Sequence, residues 1–244
     1  MSDTKLKLEK VNITLDSKVV LDDVNLEVSD GDIVSLMGSS ASGKTSLIRS
    51  IAGFHNITSG SIYLDERIVD DSKKREDVSM RNVGVIFQDL ALFPHLTVRE
   101  NICFGLNTLS KKQQFDRAEK LEQILDIVDI HNRYPDQISG GQQQRVAIAR
   151  AIAPGPKLLL LDEPFSALDY ELKEGLMNDI KKLIKSEKIT AILITHSADE
   201  AFKMSDKIAF ISENTIMQYA NPYDLYHKPV SREILSPQFL FRNE

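Results

Sequence analysis

The chain has 244 residues and a net charge of −6 at pH 7, an acidic balance that disfavours direct nucleic-acid binding, which usually depends on a basic surface. Its single cysteine, Cys103, excludes an intramolecular disulfide and a zinc site built from a cysteine cluster. The N-terminal residues carry charges where a signal peptide needs an apolar stretch, and no apolar run approaches the roughly 20 residues that span a bilayer. We therefore expect a cytoplasmic chain whose role at a membrane, if it has one, depends on a partner.

The N-terminal part of the chain alternates apolar and polar residues, which predicts strands of a half-buried antiparallel sheet. The apolar run 33–37 predicts a short strand that enters a glycine- and serine-rich loop at 38–43, and residues 44–52 predict a helix. A further pair of strands is expected at 61–64 and 83–87.

The pattern becomes helical after Gln88. Three helices are predicted, at 97–104, 111–130 and 139–152. The second would carry Leu121, Ile124, Leu125 and Val128 on its apolar face. Ser139 is a suitable N-cap for the third helix. We expect residues 89–153 to form a helical lobe inserted into the domain.

Strand patterns return in the last third of the chain. The predicted strands lie at 157–161, 189–194 and 207–211, with helices between them at 169–185 and 197–204. Strands that alternate with helices predict a parallel sheet covered on both faces, which places the chain in the α/β class.

The loop after the first short strand matches the pattern GxxxxGK[ST], with Gly38, Ser39, Ser40, Ala41, Ser42, Gly43, Lys44 and Thr45 in order. Glycines let such a loop curl so that backbone N–H groups point at phosphate oxygens, and the helix start adds partial positive charge. Lys44 would reach the β- and γ-phosphates, and the Thr45 hydroxyl would bind Mg²⁺. The alternative is a chance loop, but the pattern arises by accident in roughly one chain of this length in a hundred, so a phosphate loop is favoured.

Two carboxylates follow the apolar strand at 158–161, at the end of a parallel strand where ligands bind. Asp162 suits the Mg²⁺ shell of a phosphate-loop enzyme, and Glu163 could polarise an attacking water. An ordinary acidic pair at a strand end is the alternative, and the presence of the phosphate loop decides against it.

A third motif, ISGGQQQR at 138–145, places glycines at a predicted helix start, where exposed N–H groups can bind an anion. By itself it could be only a capped helix with a tight turn. Together with Gln88 in VIFQ, SALD at 166–169 and His196 in LITHS, however, the three motifs resemble the ATP-binding cassette family over nearly the whole chain.

The resemblance implies a phosphate-loop NTPase fold with a RecA-type core, an N-terminal antiparallel β subdomain and an inserted helical lobe. A single nucleotide-binding domain would span 1–244. Its parts would be the core at 1–88 and 154–220, the lobe at 89–153 and a C-terminal tail at 221–244.

The resemblance also implies ATP and Mg²⁺ as cofactors. Catalysis would involve Glu163 as general base, with His196, Gln88 and Lys44, and Mg²⁺ would be held by Thr45, Gln88 and Asp162. Nucleotide contacts would come from Leu15, Gly38, Ser39, Ser40, Ala41, Ser42, Gly43, Lys44, Thr45 and Ser46. Cassettes of this family sandwich two ATP molecules in a head-to-tail pair, so the other subunit would be contacted through Ser139, Gly140, Gly141, Gln142 and Asp169.

Two positions depart from the family pattern. Ala41 stands where a third glycine is common, and alanine tolerates a positive φ poorly, so the loop would be stiffer or adjusted. Leu15 stands where an aromatic residue usually stacks on adenine, and Asp16 follows where a glycine is common. Leucine has no π face, so part of a stacking contribution of about 1–3 kcal/mol would be lost and adenine selectivity would be weaker.

The stretches VGVIFQDLALFPHLTVRENICFGL and RYPDQISGGQQQRVAIARAIAPGPKLLLLDEPFSALD resemble importers of iron(III), polyamines, sulfate or sugars, with iron(III) importers nearest. The tail QYANPYDLYHKP fits the same group, whose members carry a proline-bounded helix there. The likeness implies transmembrane permease subunits and, through them, a solute-binding protein as partners, with the chain peripheral on the inner face of the cell membrane. An exporter-type cassette and a non-transport ATPase acting on DNA or ribosomes are the alternatives.

An apolar cluster of Leu90, Leu92, Phe93 and Leu96 follows Gln88. These side chains either pack the core of the lobe itself or form a surface for a membrane partner. Our hypothesis is that Phe93 borders a groove that receives a cytoplasmic helix of the permease.

Overall fold

The computed structural model describes residues 4–166 and 170–235. The strands are β1 (Thr4–Leu15), β2 (Lys18–Ser29), β3 (Ile33–Gly38), β4 (Ser59–Leu64), β5 (Arg67–Asp70), β6 (Val83–Ile86), β7 (Leu158–Asp162), β8 (Thr190–Ile194), β9 (Lys207–Ser212) and β10 (Thr215–Ala220). The helices are α1 (Lys44–Ala52), α2 (Val98–Cys103), α3 (Lys111–Ile124), α4 (Gly140–Ile152), α5 (Tyr170–Ser186), α6 (Ala198–Met204) and α7 (Pro222–His227). Within the described ranges, no helix has the length and apolar character needed to cross a membrane.

An antiparallel sheet with the strand order β2-β1-β4-β5 forms the N-terminal part of the fold. The buried apolar residues of β1 are Leu6, Leu8, Val11 and Ile13, with a spacing of three between Leu8 and Val11. The spacing of three is possible because the ladder is irregular at this point, where Lys10 has a φ of 47°. This bulge keeps the apolar side chains of β1 on one face of the sheet, and the predicted half-buried antiparallel sheet is confirmed.

The second sheet has the strand order β10-β9-β3-β8-β7-β6, and all neighbours pair in parallel except β10 with β9. Strand β7, which lies between β8 and the edge strand β6, is buried on both faces. Leu158 and Leu160 belong to the core cluster that contains α1 and the antiparallel sheet. Leu159 and Leu161 belong to the cluster that contains α4 and α5. Successive strand residues point to opposite faces, so an unbroken apolar run fits a strand covered on both sides, and the predicted α/β class is confirmed.

Helices α2, α3 and α4 pack together between β6 and β7 in the chain, and α4 also packs on β6. Both α2 and α3 begin with a capping box, formed by Thr97 with Glu100 and by Ser110 with Gln113. This is the expected helical lobe, which shares its core with the parallel sheet. The exact domain boundaries at 89–153 stay a prediction.

The predicted helix over 111–130 is too long, because α3 ends at Ile124. Asp126 takes a left-handed φ of 54°, and its N–H donates to the carbonyl of Gln123 at 3.3 Å while the N–H of Ile127 donates to that of Glu122 at 2.9 Å. These two bonds form a Schellman cap with aspartate in the place of the usual glycine. The predicted apolar face is interrupted as a result, since Ile124 and Val128 are exposed.

The strand pair expected at 61–64 and 83–87 is also wrong as a pair. Strand β4 pairs with β1 and β5, whereas β6 pairs with β7 in the other sheet. Strand pairing depends on the tertiary fold and not on order along the chain. Two strands were not predicted at all, β5 and the edge strand β10, whose tight turn from β9 contains Glu213 and Asn214 at positive φ.

Candidate functional site

Predicted site residues follow four of the five parallel strands, at their carboxyl ends. Strand β3 ends at Gly38, where the phosphate loop begins, and β7 ends at Asp162, directly before Glu163. His196 and Gln88 lie two residues beyond the ends of β8 and β6. The carboxyl ends of parallel strands form one crevice, so residues from four distant parts of the chain meet there.

The phosphate loop contains three residues with positive φ: Gly38 (149°), Ala41 (65°) and Gly43 (93°). A Cβ at Gly38 would lie 2.2 Å from the carbonyl oxygen of Ile211, and one at Gly43 would lie 2.8 Å from the Leu21 side chain. Both positions therefore require glycine. Ala41 carries a Cβ in the left-handed region, which costs an L-residue roughly 1–2 kcal/mol, so the loop stores strain at this position.

Lys44 opens α1 and is only 5% exposed. Its Nζ donates to the carbonyl oxygens of Gly38 at 3.0 Å and Ser39 at 2.7 Å and to Ser42 Oγ at 3.1 Å. Burial lowers the pKa of Lys44 from 10.5 to about 8, although two neighbouring carboxylates oppose this effect. An ammonium has three donors, so a phosphate oxygen would replace at least one of these loop contacts.

Thr45 and Asp162 place a hydroxyl and a carboxylate, two oxygen ligands suited to Mg²⁺, beside the phosphate loop. The Thr45 hydroxyl donates to Asp162 Oδ1 at 3.4 Å. Burial raises the pKa of Asp162, and the adjacent Glu163 carboxylate adds to the rise, while the hydrogen bond from Thr45 opposes it. Asp162 is 6% exposed, so an ionised carboxylate here would be stabilised by a cation.

Glu163 and His196 contact each other, with 2.7 Å between Glu163 Oε1 and His196 Nε2. Glu163 has a φ of 50°, a strained conformation for a non-glycine residue. Three hydrogen bonds hold it: its N–H donates to the carbonyl of Ile194 at 3.1 Å, and the N–H and hydroxyl of Ser166 both donate to its carbonyl. The strain therefore lies at the residue whose carboxylate meets the histidine.

A cavity of about 430 Å³ is lined by residues 40–46 of the phosphate loop and by Glu163, His196 and Val20. Val20 was not predicted from the sequence, and it reaches the loop only through the packing of β2 against Gly43. Leu15 lies half-buried against the core at the end of β1 and is not among the described residues that line this cavity.

A neighbouring cavity of about 540 Å³ brings Gln88 beside the Thr45–Asp162 pair. Thr45 lines both cavities. Arg49 also lines this second cavity, and sequence reasoning missed it. Its spacing of four from Thr45 on α1 is the signal that could have placed both residues on one helix face.

The 139–142 segment forms an exposed helix start away from these cavities. Ser139 is the N-cap of α4, as predicted, and it forms a capping box: its side chain accepts from the Gln142 N–H, and the Gln142 side chain accepts from the Ser139 N–H. Ser139 and Gly140 are exposed. No residue of this segment is among the described lining of the phosphate-loop cavity, and Asp169 lies outside the described residues.

Known proteins share this architecture. The solved cassette MJ0796, in a dimeric post-hydrolysis state bound to ADP and Pi, superposes with a TM-score of 0.78 at 30% identity, covering 89% of this chain and 98% of that one. The structure of cbiO1 from Clostridium perfringens, part of the ABC transporter complex cbiONQ, gives a TM-score of 0.85 at 26% identity over 93% of this chain and 92% of that one.

Sequence relatives and a family model agree with the fold. The spermidine/putrescine import ATP-binding protein PotA of Bacillus cereus is 40% identical over 226 residues, 92% of this chain and 68% of that protein. The Fe(3+) ions import ATP-binding protein FbpC 2 of Haemophilus influenzae is also 40% identical, over 92% of this chain and 64% of its own length. A family model described as ABC transporter matches residues 21–166, more than half of the chain. The chain therefore belongs to the ABC transporter family, as a cassette that binds and hydrolyses ATP.

Proposed function

We propose that this chain binds the phosphates of ATP in the cavity of the phosphate loop, hydrolyses ATP with Glu163 as general base, and so energises import of a small solute through membrane subunits. The observation that carries the proposal is the shared cavity in which residues 40–46 face Glu163 and His196. It combines a buried ammonium, a helix start and a strained carboxylate around one space of nucleotide-phosphate size.

The chemistry follows from these positions. A water oxygen attacks the γ-phosphorus, its proton passes to the Glu163 carboxylate, and the bond from phosphorus to the ADP oxygen breaks, which leaves ADP and inorganic phosphate. Oε1 of Glu163 contacts His196 at 2.7 Å, and the carboxylate has further lone pairs that can accept this proton. His196 contacts the γ-phosphate and the water, and Lys44 neutralises charge on the β- and γ-phosphates.

Mg²⁺ is the cation that the donor set fits. Thr45, Asp162 and Gln88 supply a hydroxyl, a carboxylate and an amide oxygen at one cavity. Within the described ranges, no group of three or more His, Cys, Asp or Glu side chains could hold a metal by itself, and Mg²⁺ is commonly held by one or two carboxylates together with substrate phosphates. When bound, it neutralises the phosphate charge and orients the nucleotide.

The exposed helix start at 139–142 would act on ATP held by a second copy of this chain. Its N–H groups at Gly140 and Gly141 lack intrahelical partners by their position in the first turn, and the helix dipole favours an anion there. Since this segment does not line the loop cavity of its own chain, a head-to-tail homodimer would bring Ser139 and Gln142 to the ATP of the other subunit. Asp169 would contact the other subunit near its phosphate loop.

The base of the nucleotide would meet aliphatic surface. Val20 lines the cavity at its β2 wall, and Leu15 stands at the end of the preceding strand. Both side chains offer apolar contact without a π face, so we propose that adenine is discriminated from guanine only weakly.

The cargo is a small solute, and the relatives offer two candidates, a polyamine and iron(III). Permease subunits would dock on the helical lobe, where Phe93 stacks on Phe104 with 4.2 Å between ring centroids and lies under the Arg150 guanidinium at 5.3 Å. Phe93 is half-buried and Phe104 is exposed, so the pair leaves aromatic surface for a membrane partner. In this arrangement the chain works at the inner face of the cell membrane.

ATP hydrolysis by the purified chain tests the catalytic assignment. Glu163→Gln keeps the shape of the side chain but removes the base, and the expected loss in kcat is about 10²–10⁴-fold, with ATP-dependent dimerisation retained in size-exclusion chromatography. Glu119→Gln, the same chemical change at an exposed position of α3, is the matched control. If Glu163→Gln turned over ATP as fast as the control, Glu163 would not be the base.

Uptake by cells tests the transport assignment. Cells that carry wild-type or Glu163→Gln protein would be compared for uptake of radiolabelled spermidine and of radiolabelled iron(III). Loss of uptake of one solute in the variant identifies the cargo. Equal uptake of both solutes in the two strains would contradict import of either.

A further inference from the structure

His196 stands in a loop whose backbone is held by a ring of hydrogen bonds. The N–H of Ser197, on one side of His196, donates to Oγ1 of Thr195, on the other side, at 3.0 Å. The Thr195 hydroxyl in turn donates to Oε2 of Glu200. The N–H of Glu200 donates to Ser197 Oγ at 3.4 Å, which closes the ring.

This ring is buried, although its members are polar. Thr195 is 2% exposed and Glu200 is 5% exposed. The second oxygen of Glu200 accepts from Lys173 Nζ at 2.8 Å, so both carboxylate oxygens have partners. A buried carboxylate is costly unless it is paired and hydrogen-bonded. The buried carboxylate of Glu200 lies next to the loop that holds His196. It is not needed to cap the short helix α6, because the Ser197 side chain alone accepts the N–H at the start of that helix.

We propose that Thr195 and Glu200 are positioning residues for His196: they hold the backbone on both sides of the histidine so that its Nε2 stays 2.7 Å from Glu163 Oε1. Neither residue is among the described lining of the nucleotide cavity, so they act through His196. Lys173 extends the link to the first turn of α5. The inference rests on the proposed role of His196.

The matched substitutions are at Thr195. Thr195→Val keeps the shape but removes the hydroxyl that both donates to Glu200 and accepts from Ser197, whereas Thr195→Ser keeps the hydroxyl. Misplacement of a reacting group by about 1 Å can cost 10²-fold in rate. We expect kcat for ATP hydrolysis to fall about 10–100-fold in Thr195→Val with little change in KM, and Thr195→Ser to restore the wild-type rate.

A spectroscopic readout is independent of turnover. The ring-proton resonance of His196, assigned by its loss in His196→Ala, should move in Thr195→Val and keep its wild-type position in Thr195→Ser. An unchanged resonance in Thr195→Val would overturn the inference, whatever the activity. Should Thr195→Val fail to fold, Glu200→Gln carries the same test, because an amide cannot serve both Lys173 and Thr195 as the carboxylate does.

A double-substitution cycle separates positioning from a general structural effect. If Thr195 acts through His196, adding Thr195→Val to His196→Ala should cost no further rate. An equal loss in both backgrounds would mean that Thr195 only supports the fold, and the inference would be wrong. If His196→Ala itself hydrolysed ATP like wild type, the proposed role of His196 would fail, while the resonance would still show whether Thr195 holds the ring.

Discussion

Substituting Lys44 by methionine tests what it costs to bury the ammonium of the phosphate loop. Burial holds the pKa of Lys44 at about 8, below its ordinary value of 10.5. The ammonium is therefore disfavoured in the folded chain by about 3 kcal/mol relative to the unfolded chain. Below pH 8 both states carry the proton, so this cost is fully present there.

The sign of the pH dependence follows from proton counting. Between pH 8 and 10.5 the unfolded chain binds more protons at Lys44 than the folded chain does, so the free energy of unfolding rises with pH across this window. Lys44→Met has no proton to lose at this position. The stability of the wild type should therefore gain about 3 kcal/mol relative to the variant as pH rises through the window.

The affinity for ATP should fall with rising pH, whereas the free energy of unfolding rises. We propose that the Lys44 ammonium binds the phosphates, so wild-type affinity should fall about tenfold for each pH unit above 8, whereas the weak binding of Lys44→Met should not show this dependence. The assays are denaturant unfolding and direct nucleotide titration of both proteins in parallel across the window. A stability difference between the two proteins that stays constant with pH would refute a lowered pKa at Lys44.

Three further predictions follow from other sites. Ala41→Gly should relieve the left-handed strain, partly offset by the greater freedom of glycine in the unfolded chain, and raise Tm by about 2 °C; an unchanged or lower Tm would mean that the loop bears no strain at Ala41. Leu15→Tyr should strengthen ATP binding by about 5–150-fold in a direct titration, and a variant that binds ATP no more tightly than the wild type would contradict the argument. Glu187 has its pKa lowered to about 2, chiefly by its hydrogen bond from Arg117 and also by one from Lys120, so its stabilising effect is lost as pH falls from 4.5 toward 2. Glu187→Gln should cost about 2 kcal/mol at pH 7 and flatten the loss of stability in acid, whereas an acid limb that stayed as steep as in the wild type would remove Glu187 from that role.

The chemistry of the site could be predicted from the sequence because each motif is local. A loop that binds phosphate needs glycines at set spacings and a lysine at a helix start. All of these residues lie within one short segment of the sequence. The same holds for the two carboxylates after an apolar strand and for Ser139 as a helix cap. Pattern and structure agree here since a few residues of one segment determine the local geometry.

The sequence-based predictions of the end of α3 and of the pairing of β6 were wrong, because a single residue or a single tertiary contact determines each of them. Helical periodicity continued past Ile124, yet a left-handed Asp126 ends α3. Propensity is a weak prior for such a position, and aspartate is one of the few non-glycine residues that accept this conformation. Strand β6 was expected to pair with a neighbour in sequence, but it pairs with β7 across the whole helical lobe.

The sequence by itself determined the α/β class, the order of the motifs and which residues we propose to meet phosphate, because these depend on periodicity and on local loop chemistry. Only the tertiary structure decided which distant side chains touch. Val20 enters the cavity, Glu163 meets His196, and Glu200 reaches Thr195 behind it. These contacts arise because the carboxyl ends of the parallel strands lie side by side, and strand order in a sheet is set by how the whole chain buries its apolar surface.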